Sequence, residues 1–281
     1  MKRHTLTMLV HLSILLLLPS NLAAGDGRSP GIQELYRLDR LPELRESVEV
    51  ASLSSYDRTG GNNDGFGGEY SFVRKEENGL VLADLKGPGI IYRIWTPTPT
   101  DDVMEFYFDG NREPAIKVKF RDLFMGRHPA FVRPLVGYGA GGFYSYVPLP
   151  YSKSCKVLIR AKRIQFYQIN YATYPQGTPI KSHSPNPDDD YLKDLEAART
   201  LFGSAGSDMS SYAVPPGGII ERFNSRVRLR AGTRQKIFEV SRPGRIVGLR
   251  LGPAEAFANK RRDIVLRAYW DGDKEPAILS P

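Results

Sequence analysis

The chain has 281 residues, 41% of them apolar and 25% charged, with 15 Tyr and 13 Phe, enough for one large or two ordinary packed domains and incompatible with an intrinsically disordered chain. A single cysteine, Cys155, excludes an intramolecular disulfide and a Cys-based zinc site. Lys and Arg number 39 against 31 Asp and Glu, a net charge of +8, and past the N-terminus no apolar run is long enough to cross a bilayer.

The N-terminus reads as an address. Lys2, Arg3 and His4 precede an apolar run from Leu6 to Leu18, and Pro19, Ser20, Asn21, Leu22, Ala23, Ala24 and Gly25 follow. A basic head, a short apolar middle and small residues at a cut site define a secretory signal peptide over residues 1–24. The alternative, an uncleaved anchor, wants a longer apolar run. The mature protein is expected to start near Ala24 or Gly25 and to work outside the cytoplasm, secreted or periplasmic, with no membrane attachment once the leader is gone.

Residues 25–50 form an N-terminal helical segment, with a helix expected over Ile32–Leu38 that sets Ile32, Leu35 and Tyr36 on one face and stops near Pro42. β-rich runs then follow at Phe66–Glu76, Leu80–Lys86, Ile90–Thr96, Glu105–Phe108, Ile116–Phe120, Phe143–Pro148, Lys156–Arg160 and Phe166–Tyr174, separated by Gly, Pro, Asn and Asp. About eight short strands at this spacing make residues 51–186 a sandwich or jelly roll. Gln176–Asn186, rich in Pro, Ser and Gly, is an exposed loop. A helix over residues 187–206 comes next: Asp188, Asp189 and Asp190 suit its start, Tyr191, Leu195, Ala198 and Phe202 fall at helical spacing, and Gly203 and Gly206 end it. It is expected to link the first β domain to a second over residues 207–281.

The second domain is a repeat of the first. Phe106-Tyr107-Phe108-Asp109-Gly110-Asn111-Arg112-Glu113-Pro114-Ala115-Ile116 returns as Ala268-Tyr269-Trp270-Asp271-Gly272-Asp273-Lys274-Glu275-Pro276-Ala277-Ile278. Upstream, Pro88-Gly89-Ile90 before Tyr92-Arg93-Ile94 is echoed by Pro243-Gly244-Arg245-Ile246 before Gly248-Leu249-Arg250. Both copies give a Pro-Gly turn, an apolar strand, and a strand running into an aromatic-Asp-Gly hairpin. The first copy continues with several more strands to Tyr174, whereas the second has only Leu279, Ser280 and Pro281 after Ile278. The expected fold is all-β: two tandem jelly-roll sandwiches joined by a helix, the second incomplete because the polypeptide is truncated at its C-terminal end.

Charge is concentrated in this second copy, where 13 Lys or Arg between Arg222 and Arg267 face only Glu239, Glu255 and Asp263. Arg226, Arg228 and Arg230 alternate with Val227 and Leu229 as on a strand with one basic face. Export argues against nucleic acid as its partner; a solvated face, a subunit contact and an acidic polysaccharide remain.

The densest polar cluster is Ser54-Ser55-Tyr56-Asp57-Arg58-Thr59-Gly60-Gly61-Asn62-Asn63-Asp64-Gly65-Phe66. Its glycines let backbone approach a ligand, while Asp57, Asn62, Asn63 and Asp64 offer oxygens. Three readings stand: a polar loop whose Asx turns satisfy its own backbone, a calcium site without the EF-hand ladder, or a sugar site in which Tyr56 or Phe66 stacks on a ring. It is no phosphate loop, since no Lys-Ser/Thr pair follows. A second cluster is Gly139–Tyr146. In a third, Gln168 and Asn170 share one strand face and Tyr167, Ile169 and Tyr171 the other, so the amides can reach a sugar. Of four histidines only His128 and His183 lie beyond the leader, and neither sits in a Ser or Cys nucleophile motif. Glycoside hydrolysis would need two carboxyl groups flanking the bond, which one sequence does not pair. No cofactor is expected, and no metal site is assigned.

Ser54–Arg58, Gly60–Phe66, Asp84-Leu85-Lys86-Gly87-Pro88-Gly89, Tyr92-Arg93-Ile94-Trp95, Tyr107-Phe108-Asp109-Gly110, Gly141–Tyr146 and Phe166–Tyr171 together resemble glycoside hydrolase family 172, from about Leu35 to the last residue. The resemblance implies two tandem jelly rolls, assembly as a homotrimer or higher homo-oligomer, and an oligo- or polysaccharide substrate of the fructofuranoside or arabinofuranoside type. It also implies a catalytic pair of glutamates in the second jelly roll and its continuation. The position aligned with one of them holds Leu279 and the other falls past Pro281, so the catalytic residues are unassigned in this sequence. The substrate-binding residues carried over are Tyr56, Asp57, Arg58, Asn62, Asn63 and Asp64, with Gln168 and Asn170. The alternative is a non-catalytic extracellular jelly-roll protein that binds carbohydrate or forms a structural oligomer.

Overall fold

A computed structural model describes residues 5–16, 29–76, 78–258 and 262–281. Its strands are β1 (Thr5–Leu16), β2 (Glu49–Ser54), β3 (Arg74–Glu76), β4 (Gly79–Lys86), β5 (Gly89–Thr96), β6 (Val103–Phe108), β7 (Ile116–Lys119) and β8 (Val136–Gly139). They continue with β9 (Gly142–Ser145), β10 (Leu149–Tyr151), β11 (Ser154–Ile159), β12 (Gln168–Thr173), β13 (Ile219–Arg230), β14 (Gly244–Gly252), β15 (Leu266–Ala268) and β16 (Ile278–Ser280). The helices are α1 (Phe120–Leu123) and α2 (Asp189–Gly203). The chain divides into a unit of Ala23–Ser207 and one of Met1–Leu22 with Asp208–Pro281.

The Ala23–Ser207 unit is a β-sandwich. One sheet runs β2-β12-β5-β9-β8, with β10 also on β5; the other runs β3-β4-β11-β6-β7. All their pairings are antiparallel. Alternation of side chains turns Ile91, Ile94, Val136 and Ile169 of the first sheet toward Leu80, Leu82, Phe106, Ile116 and Val157 of the second, in one continuous buried core. Cys155 on β11 lies within it, fully buried. The hairpin between β6 and β7 turns on Asp109 and Gly110, both with positive φ (56° and 79°), the backbone that a tight Asp-Gly turn requires. Asp109 Oδ1 also accepts hydrogen bonds from the backbone N–H groups of Lys153 (2.7 Å) and Ser154 (3.3 Å), tying the turn to the start of β11.

Two of the expected elements take another form, and β2, β8 and β10 are not among the expected strands. Only Arg74–Glu76 of the run Phe66–Glu76 is a strand, because Gly65 and Gly68 take left-handed φ (84° and 80°) and fold the chain onto itself. Ile32–Leu38 is not one helix but two 3-10 turns, Ile32–Leu35 and Leu38–Arg40: the stretch between Pro30 and Pro42 is too short to repay helix nucleation. Helix α2 forms as expected. Asp188 caps it by accepting the Tyr191 N–H at 2.9 Å, and Tyr191, Leu195, Ala198 and Phe202 pack on the core of this unit. The Tyr36 hydroxyl donates to Asp194 Oδ1 at 2.6 Å, fastening the first 3-10 turn to the helix.

The other unit holds a three-stranded sheet, β13-β1-β14, and the β15–β16 hairpin. That hairpin repeats β6–β7: Ala268 pairs with Ile278 as Phe106 pairs with Ile116, and Asp271 and Gly272 again take positive φ (48° and 82°). Arg226, Arg228 and Arg230 face solvent along β13 while Val227 is buried. The middle strand, β1, comes from the apolar run expected to be a leader; Met8, Val10, Leu12 and Ile14 are buried and His11 is exposed. The basic head Lys2–His4 and the cut-site region Pro19–Gly25 lie outside the described residues.

Candidate functional site

The sequence-selected residues fall in two places on the sandwich. The first is the loop that leaves β2. Asp57 sits at its centre, 8% exposed: Oδ1 accepts from the Thr59 N–H (2.9 Å) and hydroxyl (2.6 Å), and Oδ2 from the Asn63 N–H (3.1 Å). The hydrogen bond from the Thr59 hydroxyl, and then that from its N–H, holds the carboxyl below the usual aspartate range. Asp64 Oδ1 accepts the Asp57 N–H at 2.7 Å and Asn63 Oδ1 the Gly67 N–H at 2.8 Å, so these acids and amides serve the loop's own backbone. The surface they leave is aromatic and cationic. Tyr56 (56% exposed) and Tyr70 flank the Arg58 guanidinium at 5.4 and 5.8 Å, and Phe66, 61% exposed, meets Phe166 edge-on at 5.0 Å. Asn62 is exposed.

The second place is the outer face of the β2-β12-β5-β9-β8 sheet. Directly paired residues of an antiparallel sheet share a face. Gln168 pairs with Ser54 and Trp95, Asn170 with Ser52 and Arg93, and Trp95 with Tyr144. Arg93 Nη1 donates to Gln168 Oε1 (2.8 Å) and Asn170 Oδ1 (3.0 Å), and its guanidinium lies 5.7 Å from the Trp95 ring. With both carbonyl oxygens held by Arg93, the amide NH2 groups remain as donors. Among the described residues no carboxylate pairs with Arg93. Trp95 lies over Gly142, where a Cβ would stand 2.2 Å from the indole nitrogen, so glycine there is a condition of the ring's position. Tyr144 and Tyr146 extend the face at 5.1 Å from each other.

The two places adjoin at one end of the sheet, because Ser54, paired with Gln168, leads directly into Ser55 and Tyr56. The Ser55 N–H donates to the Tyr167 carbonyl at 3.2 Å, tying the start of the loop to the residue before β12. Next to the loop, Thr98, Pro99, Thr100, Arg163, Ile164 and Gln165 line an open cleft of about 260 Å³. The Thr98 and Thr100 hydroxyls there are buried without a hydrogen-bond partner among the described residues, and the Arg163 guanidinium donates to the Phe66 carbonyl. Arg93, Trp95, Thr98 and Thr100 escaped the sequence reading of the site. The pattern Tyr92-Arg93-Ile94-Trp95 held the signal for two of them, since period-2 alternation inside an apolar strand puts a cation and an indole on one face.

Leu279, at the position aligned with a family glutamate, is 62% exposed in β16 and pairs with Arg267. Among the described residues, no three His, Cys, Asp or Glu side chains converge to hold a metal ion. No helix of the described residues is long and apolar enough to cross a membrane.

Residues 46–191 match the family model of the GH172 first beta-sandwich domain, and residues 220–281 match that of a GH172 domain-like unit. The chain belongs to glycoside hydrolase family 172. The first match covers the sandwich that carries both places described above, and the second covers β14 to β16 and all of β13 but its first residue. Among curated proteins none matches the chain. Family membership makes the chain a glycoside hydrolase-like protein and carbohydrate the class of molecule that its polar and aromatic surfaces are to be judged against.

Proposed function

We propose that this GH172 member is an exported protein directed at fructo- or arabinofuranosides, working as a homotrimer or larger homo-oligomer, and that it holds the sugar on the outer face of its first sandwich. The observation that carries the reading is the arrangement around Arg93: an indole platform at Trp95 beside two amides whose oxygens are already engaged and whose NH2 groups can donate to sugar hydroxyls. A sugar ring has one C–H face for an aromatic ring and a rim of hydroxyls for such donors. Tyr56, Arg58 and Asn62 extend this surface at the adjoining loop, which Asp57, Asn63 and Asp64 shape. Export is supported by the leader-like residues 1–24.

Bond cleavage would fall to two carboxyl groups set on either side of the glycosidic oxygen. Leu279, an apolar residue at the aligned glutamate position, favours a second reading in which the protein binds furanosides without cleaving them. Aryl arabinofuranosides and fructofuranosides, given to the purified full-length protein, separate the two. Release of the aryl alcohol, with KM raised by Trp95→Ala, supports the hydrolase. Saturable quenching of Trp95 in a Trp270→Phe background without release supports the binder; Trp95 is then the only indole, since the sequence has 2 Trp. Neither release nor quenching would remove this face as a sugar site.

A further inference from the structure

The outer face of the β2-β12-β5-β9-β8 sheet is covered over one half and open over the other, and a bulge in β5 sets the division. Opposite β12 the pairing passes from Arg93 to Ile91 and skips Tyr92. Ile91 and Ile94 both lie in the sandwich core, so Tyr92 and Arg93, adjacent in sequence, share the outer face. They serve opposite halves of it. The Tyr92 hydroxyl donates to Glu34, which also pairs with Arg45, and lies 2.6 Å from the Tyr174 hydroxyl. Beyond it Ile90, Ala172, Tyr174 and Ile180 form a small buried cluster of their own, with Val48 packed on it. Past β9 the cover is helix α2, whose Phe202 stands 6.0 Å from the Tyr146 ring. At the other end of the same strands lies the loop after β2, with Phe66 against Phe166. The open strip between these two banks therefore runs across the strands, from Ser52 and Ser54 on β2, past the Arg93 cluster, to Tyr144 on β9.

Beyond Trp95 the floor of the strip is glycine. Trp95 pairs with Tyr144, and Tyr144 with Gly137 on β8, yet each ring leans one strand further toward the edge. The indole lies over Gly142 of β9. A Cβ on Gly137 would stand 2.9 Å from the Tyr144 hydroxyl, and one on Gly139 would stand 3.6 Å from the same ring. Gly137 and Gly139 pair with Tyr144 and Gly142 and so share the outer face, which leaves the Tyr144 ring over bare backbone. Neighbouring strands are about 4.8 Å apart and diagonal positions about 7–8 Å, so the two rings are offset by a step that consecutive rings of one sugar chain can make.

We propose that the strip is a row of subsites for an internal stretch of a linear furanoside chain. Trp95 and Tyr144 lie under successive sugar rings, and the Arg93-held amides of Gln168 and Asn170 meet the ring before them. The proposal rests on the reading of this face as the sugar site and deepens it, from a single furanoside to a chain laid across the strands. Both ends of the strip are sheet edges, β2 and β8, four interstrand steps or about 19 Å apart. The outer-face residues at those edges, Ser52, Ser54, Gly137 and Gly139, are small, so the chain runs past both. A site for a chain end would be closed on one side.

The test is calorimetry on the full-length protein with linear arabinofuranosyl and fructofuranosyl oligosaccharides of one to four units, thio-linked so that none is cleaved. Kd is expected to fall by roughly tenfold or more from the single unit to the tetrasaccharide. A tetrasaccharide blocked by a bulky group at both ends is expected to bind as tightly as the unblocked one. Tyr144→Ala brings the ratio of the two Kd values toward one. So does Gly137→Ala, which keeps the ring and moves it. A tyrosine that merely shields the glycines of an edge strand would, when removed, lower the urea midpoint and leave the ratio as it was. That result, equal Kd for one unit and four, or loss of binding on blocking the ends would each overturn the proposal. Binding of the single unit with no gain from length sinks the row of subsites and leaves the sugar site standing; no binding at any length sinks both.

Discussion

The two outer faces of the first sandwich are built on opposite plans. Across β3, β4, β11, β6 and β7 the exposed face is a lattice of paired charges. Arg74 bridges Asp84 (2.5 Å) and Glu76 (2.7 Å), Glu76 meets Lys156 (3.0 Å), and the Lys156 ammonium stands 4.8 Å from the centre of the Tyr107 ring. Glu105, its side chain 5% exposed, accepts from the Tyr107 hydroxyl (2.7 Å) and Arg160 (2.8 Å) and lies 3.4 Å from Lys117. Across β2, β12, β5 and β9 the face is aromatic and amide, with one cation, Arg93, that no carboxylate of the described residues neutralises. A face whose carboxylates Glu76, Asp84 and Glu105 are each engaged by a cation has little left to offer a partner. One that keeps a cation, two amides and an indole half-exposed retains that capacity, and the contrast teaches where to look on a sandwich with two similar sheets.

The largest expected effect tests this division directly. Glu105→Ala, which strands Arg160 and the Tyr107 hydroxyl around a buried site, is expected to cost the first unit about 2 kcal/mol in urea unfolding. Trp95→Ala is expected to cost less than half as much and to act on binding instead. Equal losses would break the contrast. A finer probe is Gly142→Ala: its Cβ drives the Trp95 indole off its seat, so furanoside affinity, measured by calorimetry, is expected to fall roughly tenfold, or about 1.4 kcal/mol, with the far-UV circular dichroism preserved. Unchanged affinity would show that the indole's position does not matter.

The smallest effect separates the faces by acid. His183, packed 5.6 Å from the Phe108 ring with Nε2 buried and unpartnered among the described residues, is pushed down to about 4 by burial, with a lesser push from His128. The unfolded chain takes up a proton near pH 6.5 that the folded protein refuses, so stability is full above that value and falls as pH drops toward 4. The loss is expected to be about 1 kcal/mol by pH 5.5, and His183→Leu should flatten the slope of the unfolding midpoint between pH 6.5 and 4.5. Glu105 behaves differently. Burial raises its carboxyl, but the hydrogen bonds from Tyr107 and Arg160 and the Arg160 charge outweigh that and hold it below the usual glutamate range. Its contribution is present above that range and is lost only as pH falls below it. A slope that survives His183→Leu would assign the acid sensitivity to other groups.

Much of the fold was legible because its signals are local. The runs at β4, β5, β6, β7 and β11 bury alternate or continuous apolar residues, Asp109-Gly110 and Asp271-Gly272 impose their own turns, and Asp188 caps its helix wherever the helix goes. The site was legible only in part. Gln168 and Asn170 stood out as amides on one strand face, but what holds them is Arg93, distant in the sequence, and cross-strand register is invisible without the sheet. Asp57 and Asp64 looked like ligand oxygens because composition does not say whether a carboxylate faces a sugar or its own backbone. β1 was the least legible: a short apolar run with a basic head satisfies both the export pattern and the burial pattern of a central strand, and only its register against β13 and β14 exposes the second.

Cys155 gives the first sandwich a tamper seal. Burial, and then the negative charge of Asp109, pushes its thiol up, so the reactive thiolate is suppressed as well as enclosed. The protein has no other sulfhydryl. A maleimide that attaches to it therefore dates the moment at which β11 came away from its neighbours, and covalent dimers found after storage are a record of opened sandwiches.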